Sequence, residues 1–262
     1  MLRSIGLVSL LVLLQGCATQ LGMREGSGSD NAGIEPAGQV LQFQRSSVEP
    51  DGAALTPADL KPGDILLTAA QTLPSTGIQM MTFAPVSHAA VYIGDGQVVE
   101  AVRPRVQVRR VEDLLAEETI ALVFRHPDLT AEQAQSMRTF MLAQVGKDFN
   151  YFSMYLHVPT LVVRRLCELP LIPSVVRDAC IKGIGAVHYL AANERQFFCS
   201  QLVLQAYRQA GVPITDADPR ILTPADILHM REGDVSSVRI HKQLLRVGHL
   251  KYEAPVTVAL QQ

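Results

Sequence analysis

Residues 87–102 read SHAAVYIGDGQVVEAV, and this segment constrains the fold more than any other part of the chain. Small and β-branched apolar residues on both sides of the GDG sequence predict two antiparallel strands joined by a tight turn. The first strand carries a histidine, His88, and the second carries a carboxylate, Glu100, at an interior position. A carboxylate in the middle of an apolar strand is costly unless it has a partner. His88 is the candidate partner that the hairpin itself supplies.

The register of the hairpin decides whether the two side chains meet. A two-residue loop puts His88 and Glu100 on opposite faces of the hairpin. A three-residue loop at residues 94–96 places Ala90 opposite Glu100, and His88 then lies diagonal to the glutamate at about 7–8 Å between backbone positions. A histidine–glutamate pair therefore requires the longer loop or an equivalent bulge.

A second segment, FFCSQLVLQAYRQAG at residues 197–211, places a cysteine at the start of an amphipathic helix. Apolar residues recur at helical spacing after Cys199, and Gly211 is suited to end the helix. A lone cysteine among apolar residues is more often a small core residue than a functional thiol. The alternative is a thiolate in the first turn, where unpaired N–H groups and the helix dipole stabilise negative charge.

Other patterns predict the framework around these two segments. Short apolar runs at residues 65–67 and 120–125 predict buried strands, and the last thirty residues favour one or two more. Residues 131–145 have the apolar spacing of a helix, with Thr130 as the N-cap and Gly146 as the stop. This mixture of strands and helices predicts an α+β domain.

The N-terminus predicts export and lipid attachment. Residues 1–16 combine a short basic start with an apolar run that is too short to span a bilayer, and they end directly before Cys17. This arrangement resembles a bacterial lipoprotein signal, in which the cysteine is lipidated; an ordinary secretory signal is the alternative. The resemblance implies an outer-membrane protein that faces the periplasm. Residues 17–50 are polar and rich in Gly and Ser, which predicts a flexible tether before a domain at 51–262.

The four cysteines of the chain are informative in an oxidising compartment. With Cys17 assigned to the lipid, an odd number remains, so at least one thiol stays free or pairs with another molecule. Cys167 and Cys180 lie in the same apolar segment and can bridge each other, which would leave Cys199 free. Three buried, reduced cysteines are the alternative.

Residues 152–190 form an apolar insert between two well-defined elements. Prolines at positions 159, 170 and 173 predict that it is divided into short helices. A buried helical subdomain and a lid or membrane-facing insert over an apolar substrate groove are both consistent with this composition.

Charge and motifs narrow the classes of function. The net charge is −2 with no basic run, so a nucleic-acid partner is not expected. The chain has no HExxH or CxxC motif, and neither a metal nor another cofactor is expected. It also lacks a GxSxG nucleophile elbow.

Three segments, LKPGDILL, SHAAVYIGDGQVVEAV and FFCSQLVLQAY, together resemble the circularly permuted branch of the NlpC/P60 superfamily of papain-like cysteine hydrolases, in its YiiX/YebB-like group. Lecithin retinol acyltransferase-type proteins belong to the same branch. The order of histidine, polar residue and cysteine along the chain is that of the permuted branch. The resemblance implies an antiparallel, small barrel-like sheet packed against the cysteine helix.

The resemblance also implies roles for individual residues. Cys199 would be the nucleophile, His88 the base and Glu100 the residue that orients the imidazole. Glu100 stands where relatives often have a histidine, and a carboxylate can accept the same imidazole N–H. Tyr92 and Tyr151 are candidates for a second oxyanion or substrate contact.

Two hypotheses of function follow. The first is a cysteine hydrolase that forms a thioester from an amide or ester, with a peptidoglycan peptide or an acylated lipid as substrate, or an acyltransferase of the same chemistry. The second is a lipoprotein without catalytic activity that serves as a binding or scaffold module of the cell envelope, with Cys199 buried in its core.

Overall fold

A computed structural model describes residues 19–24, 40–45, 52–82, 84–167, 172–190, 196–230 and 240–253. The predicted signal peptide and the lipidation site at Cys17 lie outside the described residues. Within the predicted tether, strands β1 (Thr19–Arg24) and β2 (Val40–Arg45) pair in antiparallel fashion. Among the described residues, no helix combines the length and the apolarity that crossing a membrane requires.

The domain is built on a seven-stranded, largely antiparallel sheet with strand order β3-β11-β8-β4-β5-β6-β7. One pair, β3 with β11, is parallel. The strands of this sheet are β3 (Ala53–Ala54), β4 (Ile65–Ala69), β5 (His88–Gly94), β6 (Gln97–Ala101), β7 (Val106–Arg110), β8 (Ile120–Arg125) and β11 (Leu245–Tyr252). Two short strands, β9 (Asp148–Phe149) and β10 (Gln196–Phe197), pair in parallel beside it. The predicted α+β class and antiparallel sheet are confirmed.

Seven α-helices accompany the strands in the described part of the chain. They are α1 (Leu73–Thr82), α2 (Val111–Glu117), α3 (Ala131–Gln144), α4 (Tyr151–Cys167), α5 (Ser174–Leu190), α6 (Cys199–Gln209) and α7 (Pro224–His229). The predicted cap of α3 is confirmed: the Thr130 hydroxyl accepts the N–H of Gln133 at 3.2 Å.

The central strand β4 shows why the sheet is covered on both faces. All five of its residues are buried, and alternation along the strand sends them into two clusters. Ile65 and Leu67 pack with residues of α3, α6 and α7 in the larger cluster. Leu66 packs on the opposite face with α2. A strand that is buried at every position therefore lies in the middle of the sheet, between two layers.

The insert consists of two long helices, α4 and α5, which correct the prediction of several short ones. Pro159 lies inside α4 without ending it. A proline removes one backbone hydrogen bond from a helix, and α4 nevertheless continues to Cys167. A disulfide between Cys167 and Cys180 joins the two helices, as one of the two sequence alternatives predicted, and Cys199 is free.

A buried ion pair fixes the insert to the rest of the domain. Both guanidinium NH groups of Arg164 in α4 donate to the Asp226 carboxylate of α7, at 2.9 and 2.8 Å. Burial raises the pKa of Asp226, but the Arg164 charge and the hydrogen bonds of Arg164 and Thr223 outweigh it and lower that pKa overall. The carboxylate therefore stays charged and holds α4 against the core.

Loss of this pair is expected to destabilise the domain. Arg164→Met leaves a buried carboxylate without its cation and should lower the free energy of unfolding by about 3–5 kcal/mol. Because the folded-state pKa of Asp226 is depressed, its contribution is present above about pH 3.8 and is lost as the pH falls through the folded value. Urea unfolding at neutral pH measures the effect. The double variant Arg164→Met/Asp226→Asn should lose less than the sum of the single losses, and strict additivity would contradict the coupling.

Candidate active site

Helix α6 begins at Cys199 and presents the thiol in its first turn. The preceding residue, Phe198, is the N-cap and has extended backbone angles, and its apolar side chain makes no capping hydrogen bond. The first N–H groups of a helix have no partner within the helix. The sulfur of Cys199, which is half-buried, therefore lies beside backbone donors and the positive end of the helix dipole.

The β5–β6 hairpin has the register that a His88–Glu100 pair requires. Gly94 pairs with Gln97 across a two-residue turn, in which Asp95 and Gly96 have φ angles of 55° and 68°. The register then shifts between Tyr92 and Gly94, so that Ala90 pairs with Glu100. The structure thus uses the equivalent bulge, at residue 93, and the predicted opposition of Ala90 and Glu100 is observed.

The shifted register brings the imidazole and the carboxylate together. His88 Nε2 lies 2.8 Å from Glu100 Oε2. With the carboxylate as acceptor, Nε2–H is the donor, and the ring's other nitrogen, Nδ1, faces away from Glu100. The His88 side chain is 15% exposed and that of Glu100 only 1%.

Two donors on strand β7, neither of them predicted from the sequence, also hold Glu100. Gln107 Nε2 donates to Glu100 Oε1 at 3.0 Å, and Arg109 lies 3.3 Å from the same oxygen. Alternation along β7 sends both side chains toward Glu100, since Gln107 is its cross-strand partner. The alternating sequence VQVRR could have identified these two residues only if the pairing of β7 with β6 had been known.

The pKa of His88 responds to Cys199 as well as to Glu100, so both side chains act on one imidazole. Burial lowers that pKa, but the interactions with Cys199 and Glu100 outweigh it and hold it well above 6.5. Burial raises the pKa of Glu100, and its contacts with His88, Gln107 and Arg109 lower it overall. The surroundings of His88 thus favour its protonated, imidazolium form.

The two tyrosines proposed as further contacts lie in different surroundings. The hydroxyl of Tyr92 accepts the Gly96 N–H at 3.1 Å and so supports the hairpin turn. Tyr151 is 42% exposed at the start of α4, with its ring edge-to-face against Phe149. Phe149 in turn lines the groove at Cys199.

Two concave surfaces meet at the candidate site. A groove beside Cys199 has an almost entirely apolar surface, to which α1, α4 and α6 contribute. A polar cleft beside His88 is lined by Glu100, Gln107, Arg109 and Glu118, among others. Within the part of the chain that the structure describes, no group of three or more His, Cys, Asp or Glu side chains is arranged to hold a metal ion.

Comparisons with known proteins reveal a relative along nearly the whole chain. No protein-family model matches. The probable lipoprotein peptidase YaeF of Escherichia coli strain K12 is 32% identical over 244 residues, which are 92% of this chain and 89% of the relative. The chain belongs to the YaeF family. Among solved structures, that of the metalloprotein YiiX from Escherichia coli O157:H7 aligns with 74% of this chain and 98% of its own, at 17% identity and a TM-score of 0.43.

The charge state of His88 gives a direct test of the hydrogen-bond geometry. We expect the ring to keep its proton well above pH 6.5, and Glu100→Gln to lower its pKa because the carboxylate no longer stabilises the imidazolium. Since the folded-state pKa is raised, the imidazolium contributes to stability fully below about pH 6.5, and the contribution is lost as the pH rises through the folded value.

Histidine ring NMR across a pH titration measures this pKa. Asp216→Asn is the matched control, because Asp216 bonds an exposed histidine, His241, at 2.7 Å. That variant should leave the His88 titration unchanged. An unshifted His88 titration in Glu100→Gln would contradict the assigned contact.

Proposed function

We propose that the chain is a cysteine hydrolase of the cell envelope, with the permuted papain-like fold of the NlpC/P60 superfamily, that cleaves peptide amide bonds. The observation that carries the proposal is the 2.8 Å contact of His88 with the buried Glu100, on an imidazole whose pKa is also raised by Cys199 at the start of α6. A nucleophile, a base and an orienting acceptor in this relation are the elements of nucleophilic acyl transfer. The name of YaeF, a probable lipoprotein peptidase, supports a peptide substrate.

The first half of the reaction forms a thioester. The proton of Cys199 resides on His88 when the sulfur attacks the carbonyl carbon to give a tetrahedral oxyanion. The imidazolium then donates its proton to the amide nitrogen, the carbon–nitrogen bond breaks and the amine leaves. Glu100 keeps the ring oriented and stabilises its positive charge throughout.

The second half restores the enzyme. His88, now neutral, accepts a proton from water, and the hydroxide oxygen attacks the thioester carbonyl. The carbon–sulfur bond breaks and the carboxylic acid leaves, while the sulfur regains the proton from His88. In both halves the N–H of Cys199, at the start of α6, is the proposed donor to the oxyanion.

The location proposed for this chemistry follows from the N-terminal sequence. Cleavage before Cys17 and lipidation of that residue would tether the domain to the outer membrane, on its periplasmic side. The designation of YaeF as a lipoprotein supports attachment to the envelope. This location brings peptides of the cell envelope within reach, and we propose them as the natural substrate class.

Substitution of the three residues should separate their roles. Cys199→Ala and His88→Ala are each expected to lower kcat by at least about 10³-fold, because either change removes covalent catalysis. Glu100→Gln should have a smaller effect, since the nucleophile and base remain. Release of new amines from a peptide mixture measures the rates, and Gln209→Ala, in the exposed last turn of the same helix, is the control.

The scaffold hypothesis makes the opposite prediction for the same protein. Cys199 would then resist alkylation by iodoacetamide in the folded state. Cys199→Ala would cause no loss of hydrolytic activity, because the wild-type protein would have none. Peptide hydrolysis that persists in Cys199→Ala would also refute the proposed mechanism.

A further inference from the structure

The groove beside Cys199 is the most informative cavity outside the catalytic contacts. It has a volume of about 250 Å³, and its walls include Ile78 and Met81 of α1, Leu161 of α4 and the rings of Phe149 and Phe198. Its surface is almost entirely apolar. The volume lies just below the range of about 300–1,000 Å³ typical of pockets for drug-sized ligands. A group about the size of one large side chain therefore suits it.

One histidine lines the groove, and its surroundings keep it uncharged. Burial and the neighbouring His188 lower the pKa of His157 to about 3. Its ring lies 4.7 Å from that of Phe198, edge-to-face, directly before the cysteine. At neutral pH the groove wall therefore carries no charge from this residue, which preserves the preference for an apolar occupant.

A polar cleft lies beside the side of the imidazole that bonds Glu100. His88 lines it together with the carboxylates of Glu117 and Glu118 and the guanidinium of Arg109. Burial raises the pKa of Glu118. Cys199 thus borders an apolar surface and His88 a polar one.

The chemistry assigns the groove to one part of the substrate. The sulfur bonds to the carbonyl carbon, so the residue that supplies the carbonyl lies on the Cys199 side, against the groove. The polar cleft lies beyond the bond between His88 Nε2 and Glu100, so no part of the substrate is assigned to it. In a step that rests on the proposed function, we propose that the substrate is a peptide with a large apolar side chain on the carbonyl side of the cleaved bond.

Gly77 of α1 offers a way to fill the groove without disturbing its walls. It lines the groove, and a Cβ added to it would meet no atom within 4 Å. A side chain at this position enters open space, and replacing a helical glycine removes a penalty of about 1 kcal/mol. Gly183 of α5 is a matched control, since it is exposed, helical and equally free of neighbours.

The experiment uses the full-length protein and two peptides of inverted sequence, acetyl-Ala-Leu-Gln-Ala-amide and acetyl-Ala-Gln-Leu-Ala-amide. Mass spectrometry identifies the bond that is cleaved. We expect cleavage of the first peptide between Leu and Gln, with kcat/KM at least about 10-fold higher than for the same peptide carrying Gly in place of Leu. The second peptide should be cleaved poorly at its central bond.

The variants then test the groove itself. Gly77→Leu should lower kcat/KM for a peptide with Phe on the carbonyl side by at least about 10-fold, while the value for Ala stays close to wild type. Gly183→Leu should change neither. If Gly77→Leu fails to fold, Met81→Glu tests the same wall, with the neighbouring Met80→Glu, at a position 71% exposed, as its control.

The outcomes distinguish the two proposals. Hydrolysis that survives Cys199→Ala overturns the proposed function. Cleavage that depends on Cys199 but shows no preference for Leu over Gly, or prefers the inverted peptide, overturns the substrate assignment alone. Cys199-dependent hydrolysis of a medium-chain fatty acyl ester without peptide cleavage overturns the peptide substrate of both proposals and identifies the groove as an acyl-chain site.

Discussion

A buried carboxylate at Glu100 is the constraint on which the candidate site depends. Burial of a charged group is unfavourable unless hydrogen bonds and opposite charge compensate for it. Here the compensation comes from His88 on one neighbouring strand and from Gln107 and Arg109 on the other. The same contacts that stabilise Glu100 also orient the imidazole toward Cys199. The same contacts between three adjacent strands therefore stabilise the edge of the sheet and set the geometry of the site.

The register of the β5–β6 hairpin shows how much of the site could be predicted from the sequence. Turn residues and the buried glutamate were enough to predict that a pair with His88 needs Ala90 opposite Glu100. They did not decide between a three-residue loop and a two-residue turn with a bulge, because both give the same pairing beyond the turn. The choice depends on how Ile93 packs against the helices, which is a long-range contact. The local sequence left these two turn geometries open for a paired His88 and Glu100 and did not select one of them.

The parts of the site that were not predicted share a physical cause. Gln107 and Arg109 acquire a role only because β7 lies beside β6. An apolar groove was one of the two sequence alternatives for the insert, but its position beside Cys199, where α1, α4 and α6 meet, was not predicted. These juxtapositions depend on the path of the chain and not on any local pattern. Pro159 was misleading for a related reason, since neighbouring hydrogen bonds and packing allow a helix to continue through a proline that would end it in isolation.

The insert links the site to the compartment proposed for the protein. Helix α4 forms a wall of the groove through Leu161, and the Cys167–Cys180 disulfide and the buried Arg164–Asp226 pair hold that helix in place. A disulfide persists in an oxidising environment such as the periplasm. The shape of the groove beside Cys199 therefore depends on two bonds that lie outside it, one of which requires export.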